Sequence, residues 1–449
     1  MALNRARETW IVNAVILTQN SKRQALRANL RIVDGWIDAI TARAPRKGAD
    51  VQVIDAQGLT ILPGFVQAHV HLCQTLFRNQ ADDLELLDWL KKKIWKMEAA
   101  HTRDTLYVSA HIGIHELLSS GTTCLLDMGT VRHTEAILEA VEETGIRANV
   151  GKCLMDNPRT VPRGLYERTE VALEEACDLH DRWNGRANDR IRISFAPRFV
   201  VSCTEKLLKA VRDESRKRDA VIHTHASENR KEVQLVRKMF GYENIEYFDR
   251  IGLTSKRLVV AHGVWLSDRE KTILKRSRTS ICHCPGSNLK LASGIADLPD
   301  LRRRGINVAL GADGAPCNNN LDMFQEMRLA ATLHKPGAGP KAVRAQEVLD
   351  MATRDGAKAL SWFDQIGSIE VGKRADLIAL DLGQPNNYVL KAHRLDPRAL
   401  ASSIVYSSGP EHLRFTMVDG RVVFRPRDRE KNGLPILAEK ALSRILKSL

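Results

Sequence analysis

The sequence predicts an α/β fold: a (β/α)8 TIM-like barrel with a small β-sandwich domain formed by the N- and C-terminal segments. Three observations predict it. Eight short apolar runs alternate with helical patterns between residues 59 and 313, both ends of the chain carry strand and turn signals, and 449 residues suit a large barrel plus a smaller partner.

The apolar runs are residues 59–71 (LTILPGFVQAHVH), 121–128 (GTTCLLDM), 147–155 (RANVGKCLM), 191–198 (IRISFAPR), 220–226 (AVIHTHA), 257–263 (RLVVAHG), 279–285 (TSICHCP) and 306–313 (INVALGAD). Eight such runs are the number that closes a barrel of parallel strands. Between them lie stretches such as 134–145 (TEAILEAVEETG), with apolar residues three and four apart and a glycine stop, which predict helices. The two ends differ. Residues 9–58 and 367–425 hold strands punctuated by VDGW (33–36) and VDGR (418–421), with VGKRADLIALDL at 371–382. Each end alone is short for an independent core, so residues 1–58 and 367–449 are expected to pair into one composite β-sandwich domain, with the barrel at 59–366. Residues 434–449 read as a terminal helix.

Composition narrows the class. Hydrophobic residues make up 43% and charged residues 27%, with no repeat or low-complexity tract, the profile of a globular protein. In the opening MALNRARETWIVNAVILT, Arg5, Arg7 and Glu8 precede an apolar run broken by Asn13, which predicts a strand rather than a signal peptide. No stretch approaches the roughly 18 apolar residues of a membrane span. The eight cysteines are scattered and mostly lie inside apolar runs, so free thiols in the cytoplasm are expected, and the close pair Cys282 and Cys284 lacks the second pair a zinc knuckle needs. A formal charge of +14 raises nucleic acid as a partner. Against that, the basic residues are dispersed and aromatics are only 5%, leaving little for base stacking.

The chemistry begins with His69 and His71, two residues apart at the end of the first predicted strand, so both imidazoles point the same way. Barrel active sites form at the C-terminal ends of the strands. Other strand ends offer matching groups: His225, His262, His283 and Asp313. Three imidazoles and one carboxylate suit one divalent metal ion, zinc before iron, with a position open for water. His223 shares a strand face with His225, but His225 lies nearer the strand end and Glu228 follows three residues later, so His223 and His283 are read as barrel histidines without a ligand role. His101, His111, His115, His133, His180, His334, His393 and His412 fall on predicted helices, loops or the outer domain and receive no role. Glu228 and Asp313 can move protons beside the metal, and His262 can hydrogen-bond the attacking hydroxide or add a ligand.

Taken in order, LPGFVQAHVH, HASENR, VVAHGVWLS, CHCPGSNLKLASG, GADGAPCNNNLDMFQEMRLA and GSIEVGKRADLIALD resemble the amidohydrolase superfamily, in its single-metal aminohydrolase branch, over nearly the whole chain. The resemblance implies that His69, His71, His225 and Asp313 hold the metal, while Glu228, His262 and Asp313 carry the catalysis. Hydroxide generated at the metal would attack the ring carbon bearing an amine, Asp313 would take its proton, and Glu228 would protonate the adjacent ring nitrogen, releasing ammonia. The fourth strand ends in Ala196, Pro197 and Arg198, with no lysine to bridge a second metal. A non-catalytic relative would have lost these ligands; here the set is complete.

Through CQTLFRNQADDLELLDWL the chain is most similar to 5′-deoxyadenosine deaminases and methylthioadenosine/S-adenosylhomocysteine deaminases. By that likeness Glu98 would bind ribose hydroxyls, Lys152 stands where those enzymes have an arginine, and Arg198 replaces their histidine. Gln74 with Arg198 and Phe199 instead resembles guanine deaminase, and triazine hydrolases share the scaffold. The expected partner is a small purine or purine nucleoside, with no nucleic acid and no membrane, for a chain assembled as a homo-oligomer.

Overall fold

The computed structural model describes residues 8–43, 45, 50–428 and 433–449. Arg5 and Arg7 lie outside the described residues. One parallel sheet runs, in spatial order, through Val308–Leu310, Ser280–His283, Leu258–His262, Ile222–Ala226, Ile191–Pro197, Arg147–Leu154, Thr122–Met128, Phe65–His71 and Asp313–Gly314. Its first and last members are two pieces of the eighth barrel strand. Val308–Leu310 pairs with the seventh strand, and Asp313–Gly314 pairs with the first, closing the ring. Helices such as Thr134–Thr144, stopped by Gly145 in the left-handed region at φ 81°, return the chain between strands.

The second sheet is mixed and has eight strands: Glu8–Leu17, Ala25–Val33, Trp36–Thr41, Val51–Asp55, Thr60–Pro63, Leu377–Leu380, Leu413–Val418 and Arg421–Phe424. Glu8–Leu17 pairs with Val51–Asp55 along its first half and with Thr60–Pro63 along its second, and its ladder to Ala25–Val33 shifts register around Asn13, at φ 61°. Such an irregularity bends a strand. The edge strand Trp36–Thr41 also meets the 372–375 segment, where Ile37 N–H donates to Lys373 O at 2.7 Å and Ala375 N–H to Gly35 O at 2.8 Å. The sheet thereby curls around a core of its own, which includes Ile11, Leu30, Ile37, Ile61, Leu377 and Phe415.

The apolar run at 59–71 divides between the two sheets. Thr60–Pro63 joins the mixed sheet and Phe65–His71 becomes the first barrel strand, with Gly64 between them. A Cβ at Gly64 would stand 2.1 Å from Thr123 Cγ2, so glycine alone fits the crossing without movement. A fully buried ion pair also ties sheet to barrel: Arg147, on the third barrel strand, meets Asp376 at 2.7 and 3.1 Å. Asp376 in turn accepts from Asp419 N–H at 2.9 Å. The C-terminal helix Leu434–Lys447 packs on the helix Arg103–Ser119. Among the described residues no helix is long and apolar enough to cross a membrane.

Candidate metal centre and active site

The first, fifth, sixth and eighth barrel strands deliver the site at their C-terminal ends. His69, His71, His225 and Asp313 each offer a ligand atom, and these atoms lie within 4.8 Å of one another. Two of the imidazoles have their tautomers fixed from behind. His71 Nδ1 donates to Met128 O at 2.9 Å and His225 Nδ1 donates to Arg198 O at 2.7 Å, because a carbonyl can only accept. Their Nε2 atoms therefore carry bare lone pairs, and these face each other at 3.3 Å. Two acceptors at that distance repel unless a cation lies between them. Burial lowers the pKa of His69, His71 and His225, keeping the rings neutral as metal binding requires. The donor set thus fits one ion with nitrogen and oxygen ligands.

Asp313 is positioned with care. Its Oδ1 lies 3.1 Å from His69 Nε2 and 3.5 Å from His71 Nε2, while Ser287 Oγ donates to its Oδ2 at 2.6 Å. Burial opposes its ionisation, but His69, His262 and His71 around it hold the carboxyl well below its usual range. Asp313 at φ 63° and His262 at φ 73° both occupy the left-handed region, uncommon for residues with a Cβ. Such backbone clusters where a side chain must be aimed against local preference.

Beside the donor set lie two further buried titratable side chains, Glu228 and His262. Glu228 Oε2 sits 3.5 Å from His262 Nε2, which is 3.8 Å from Asp313 Oδ2. Burial pushes Glu228 up to about 7, so at neutral pH it can give or take a proton. Burial would lower His262, but the Glu228 and Asp313 carboxylates raise it above its ordinary value. Asn288 Oδ1 fixes its Nδ1 at 2.9 Å. Loop chemistry aims Glu228: Asn229 caps the helix Arg230–Phe240, and Glu232 reaches back to accept from Glu228 N–H at 3.0 Å.

These groups open into a pocket lined by the polar side chains of His71, His225, His262, Asp313, Glu228 and Glu232 and by the apolar ones of Leu86, Trp89, Leu90, Phe199 and Leu291. Arg198 also lines it. Next to it, Glu98 accepts from Arg198 at 2.7 and 3.2 Å and from Gln74 Nε2 at 2.8 Å, all buried. That leaves Gln74 Oε1 as a buried acceptor with no partner among the described residues.

Of the residues expected to touch substrate, Arg198 and Phe199 line the pocket and Gln74 and Glu98 form the network beside it. Lys152 does not join them. Its ammonium is held by Glu167 at 2.9 Å, Glu175 at 2.8 Å and the Val131 carbonyl, because strand alternation turns the next residue, Cys153, toward Arg198 instead. His283 is buried with neither ring nitrogen partnered among the described residues, and burial lowers it to about 3. His223 stands behind His69, with its Nε2 2.8 Å from His69 Nδ1. Sequence reasoning missed Glu232 and the apolar wall of Leu86, Trp89, Leu90 and Leu291. A signal for Glu232 existed, since Asn229 and Glu232 have the N-cap to third-residue spacing of a capping box.

A closed barrel whose strand ends gather three neutral imidazoles, one ionised carboxylate and a separate acid defines a metal-site hydrolase scaffold. Comparison with known proteins narrows the class. The amidohydrolase family model matches residues 60–423. A 5′-deoxyadenosine deaminase of Methanobrevibacter smithii is 41% identical over 418 residues, covering 93% of this chain and 92% of that protein. A 5-methylthioadenosine/S-adenosylhomocysteine deaminase of Thermococcus sibiricus is 38% identical over 399 residues, 89% of this chain and 90% of that one. Among solved structures, an adenosine deaminase from Xanthomonas campestris with bound zinc superposes with a TM-score of 0.88 at 31% identity, covering 98% of each chain. The chain belongs to the amidohydrolase family.

Proposed function

We propose that this chain is a metal-dependent aminohydrolase that converts an adenine nucleoside (5′-deoxyadenosine, methylthioadenosine, S-adenosylhomocysteine or adenosine) to its inosine analogue and ammonia. The observation that carries the reading is the pair of bare Nε2 lone pairs on His71 and His225, 3.3 Å apart, with a buried acid of raised pKa in the same pocket. The names of the similar proteins support the substrate class.

His69, His71, His225 and Asp313 would hold one divalent ion, with zinc ahead of iron for this nitrogen-rich set. Such an ion makes hydroxide available at neutral pH and stabilises negative charge on the oxygen that attacks. Asp313, ionised and 3.8 Å from His262, accepts a proton from the attacking water. Glu228 delivers one to the ring nitrogen beside the carbon under attack, and His262, hydrogen-bonded to Asn288, stays aimed between the two carboxylates. The Glu98–Arg198–Gln74 network sits where it can read a purine edge or the ribose. Guanine deamination is the second reading, favoured by Arg198 and Phe199 lining the pocket while both Glu98 oxygens are engaged within the protein.

The barrel, from its first strand Phe65–His71, carries the chemistry, and the mixed sheet, which Thr60–Pro63 joins, braces it. Eight free thiols support a cytoplasmic setting. The chain is expected to act on a small molecule as a homo-oligomer, a state that size-exclusion chromatography with light scattering would read. Ammonia release from 5′-deoxyadenosine, methylthioadenosine, S-adenosylhomocysteine, adenosine, adenine, guanine and a triazine tests the assignment. Adenine nucleosides should give the highest kcat/KM; a maximum at guanine would install the second reading, and no turnover with zinc or iron would end both.

A further inference from the structure

His71 and His225 lean on backbone carbonyls, whereas His69 leans on another imidazole. Its Nδ1 lies 2.8 Å from His223 Nε2, the two rings stand at 82° with centroids 4.8 Å apart, and both side chains are fully buried. His223 Nδ1 has no hydrogen-bond partner among the described residues. On its other side, His69 Nε2 faces Asp313 Oδ1 at 3.1 Å.

We propose that His223 is a positioning residue for His69, holding its ring in line with the donor set and exchanging donor and acceptor roles with it when a metal ion binds. A carbonyl fixes one tautomer permanently; a neutral imidazole supports either. Without an ion, His69 carries its proton on Nε2 and donates to Asp313, while His223 donates from Nε2 to His69 Nδ1. With an ion at His69 Nε2, that ring carries its proton on Nδ1 and donates to His223 Nε2, and the proton of His223 sits on its own Nδ1. The His223 Nε2 proton passes to His69 Nδ1 along the 2.8 Å contact, the proton displaced from His69 Nε2 leaves to solvent, and one returns from solvent at His223 Nδ1, so the pair's net release is zero. The unpartnered Nδ1 of His223 is the atom left to take either role. Outer partners of metal-bound histidines set ring orientation and tautomer in the same way.

The inference rests on the metal reading proposed above, and its test separates the two. Zinc affinity of the metal-free full chain is measured by competition with a chromophoric chelator for the wild type and for His223→Gln, His223→Asn and His223→Leu. A glutamine amide reaches the position of Nε2 and an asparagine amide does not. The Asn and Leu variants should lose about 10- to 100-fold in zinc affinity, the usual cost of removing such a partner, while the Gln variant stays close to wild type. Nitrogen NMR of histidine-labelled protein should show the His69 proton moving from Nε2 to Nδ1 on zinc addition. Should the Leu variant fail to fold, the contrast between Gln and Asn still decides. Equal affinities for Gln and Asn, or a His69 tautomer unchanged by zinc, would overturn the role of His223 and leave the metal reading intact. A wild-type chain that binds no zinc would overturn the metal reading, and this inference with it.

Discussion

At the residue scale, the division of labour follows from what each side chain has behind it. His71 and His225 are locked by carbonyls, Asp313 by Ser287 Oγ and the Gly314 N–H, while Glu228 is buried with only long contacts, to Ser293 Oγ at 3.3 Å and to His262 Nε2 at 3.5 Å. Glu228→Gln should keep the ring positions and metal content while ammonia release falls by about 10² to 10⁴-fold; metal analysis beside a turnover assay checks both halves. The pH dependence follows in sign from the same group. In the proposed mechanism Glu228 acts as an acid, and its pKa is raised to about 7, so it is protonated below that pH and loses the proton above it. The kcat/KM profile should therefore fall on the alkaline side of neutrality, and Glu228→Gln should erase that limb from whatever rate remains. The grouping of His69, His71, His225 and Asp313 was legible because strand alternation puts residues two apart on one face and barrel sites form at strand ends. The place of Lys152 was not, because its partners Glu167 and Glu175 come from segments whose packing no local spacing reveals.

At the scale of elements, the barrel strands were readable because parallel strands covered on both faces show as continuous apolar runs. The same continuity concealed the break at Gly64, since the run at 59–71 carries no polar residue there to mark the passage between sheets. Thr123 occupies the space a Cβ would need, so Gly64→Ala should destabilise by about 1–3 kcal/mol through overpacking. A thermal melt measures it, and shortening Thr123 to Gly in the same chain should recover part of the loss. The helical turns Leu86–Trp89 and Leu90–Ile94, which supply Leu86, Trp89 and Leu90 to the pocket wall, lie in the stretch between the first and second barrel strands. Their apolar residues suit an ordinary buried helix face equally well, which is why the pattern alone gave them no role.

At the scale of the whole molecule, buried polar contacts tie the mixed sheet to the barrel, among them Thr416 Oγ1 to Leu118 O at 2.7 Å and the fully buried ion pair of Arg147 with Asp376. Arg147→Met would leave the carboxylate enclosed without its partner, a loss of about 3–5 kcal/mol expected for breaking a buried pair from one side. Urea unfolding followed at the barrel and at the sheet would show whether the loss is shared by both. Bound metal should stabilise the whole chain by mass action, about 2.7 kcal/mol at a free concentration a hundred times Kd. Chelation should therefore lower the melting temperature as well as stop ammonia release, and zinc should restore both.

The mixed sheet has a further consequence for synthesis on the ribosome. Thr60–Pro63 hydrogen-bonds on one side to Glu8–Leu17 and on the other to Leu377–Leu380, a strand encoded roughly 300 residues later. At roughly 5–20 residues per second, the nascent N-terminal hairpins wait tens of seconds with an apolar strand edge uncovered. Over that interval the edge stays open to pairing with other chains, and the last strands to emerge complete the sheet begun by the first.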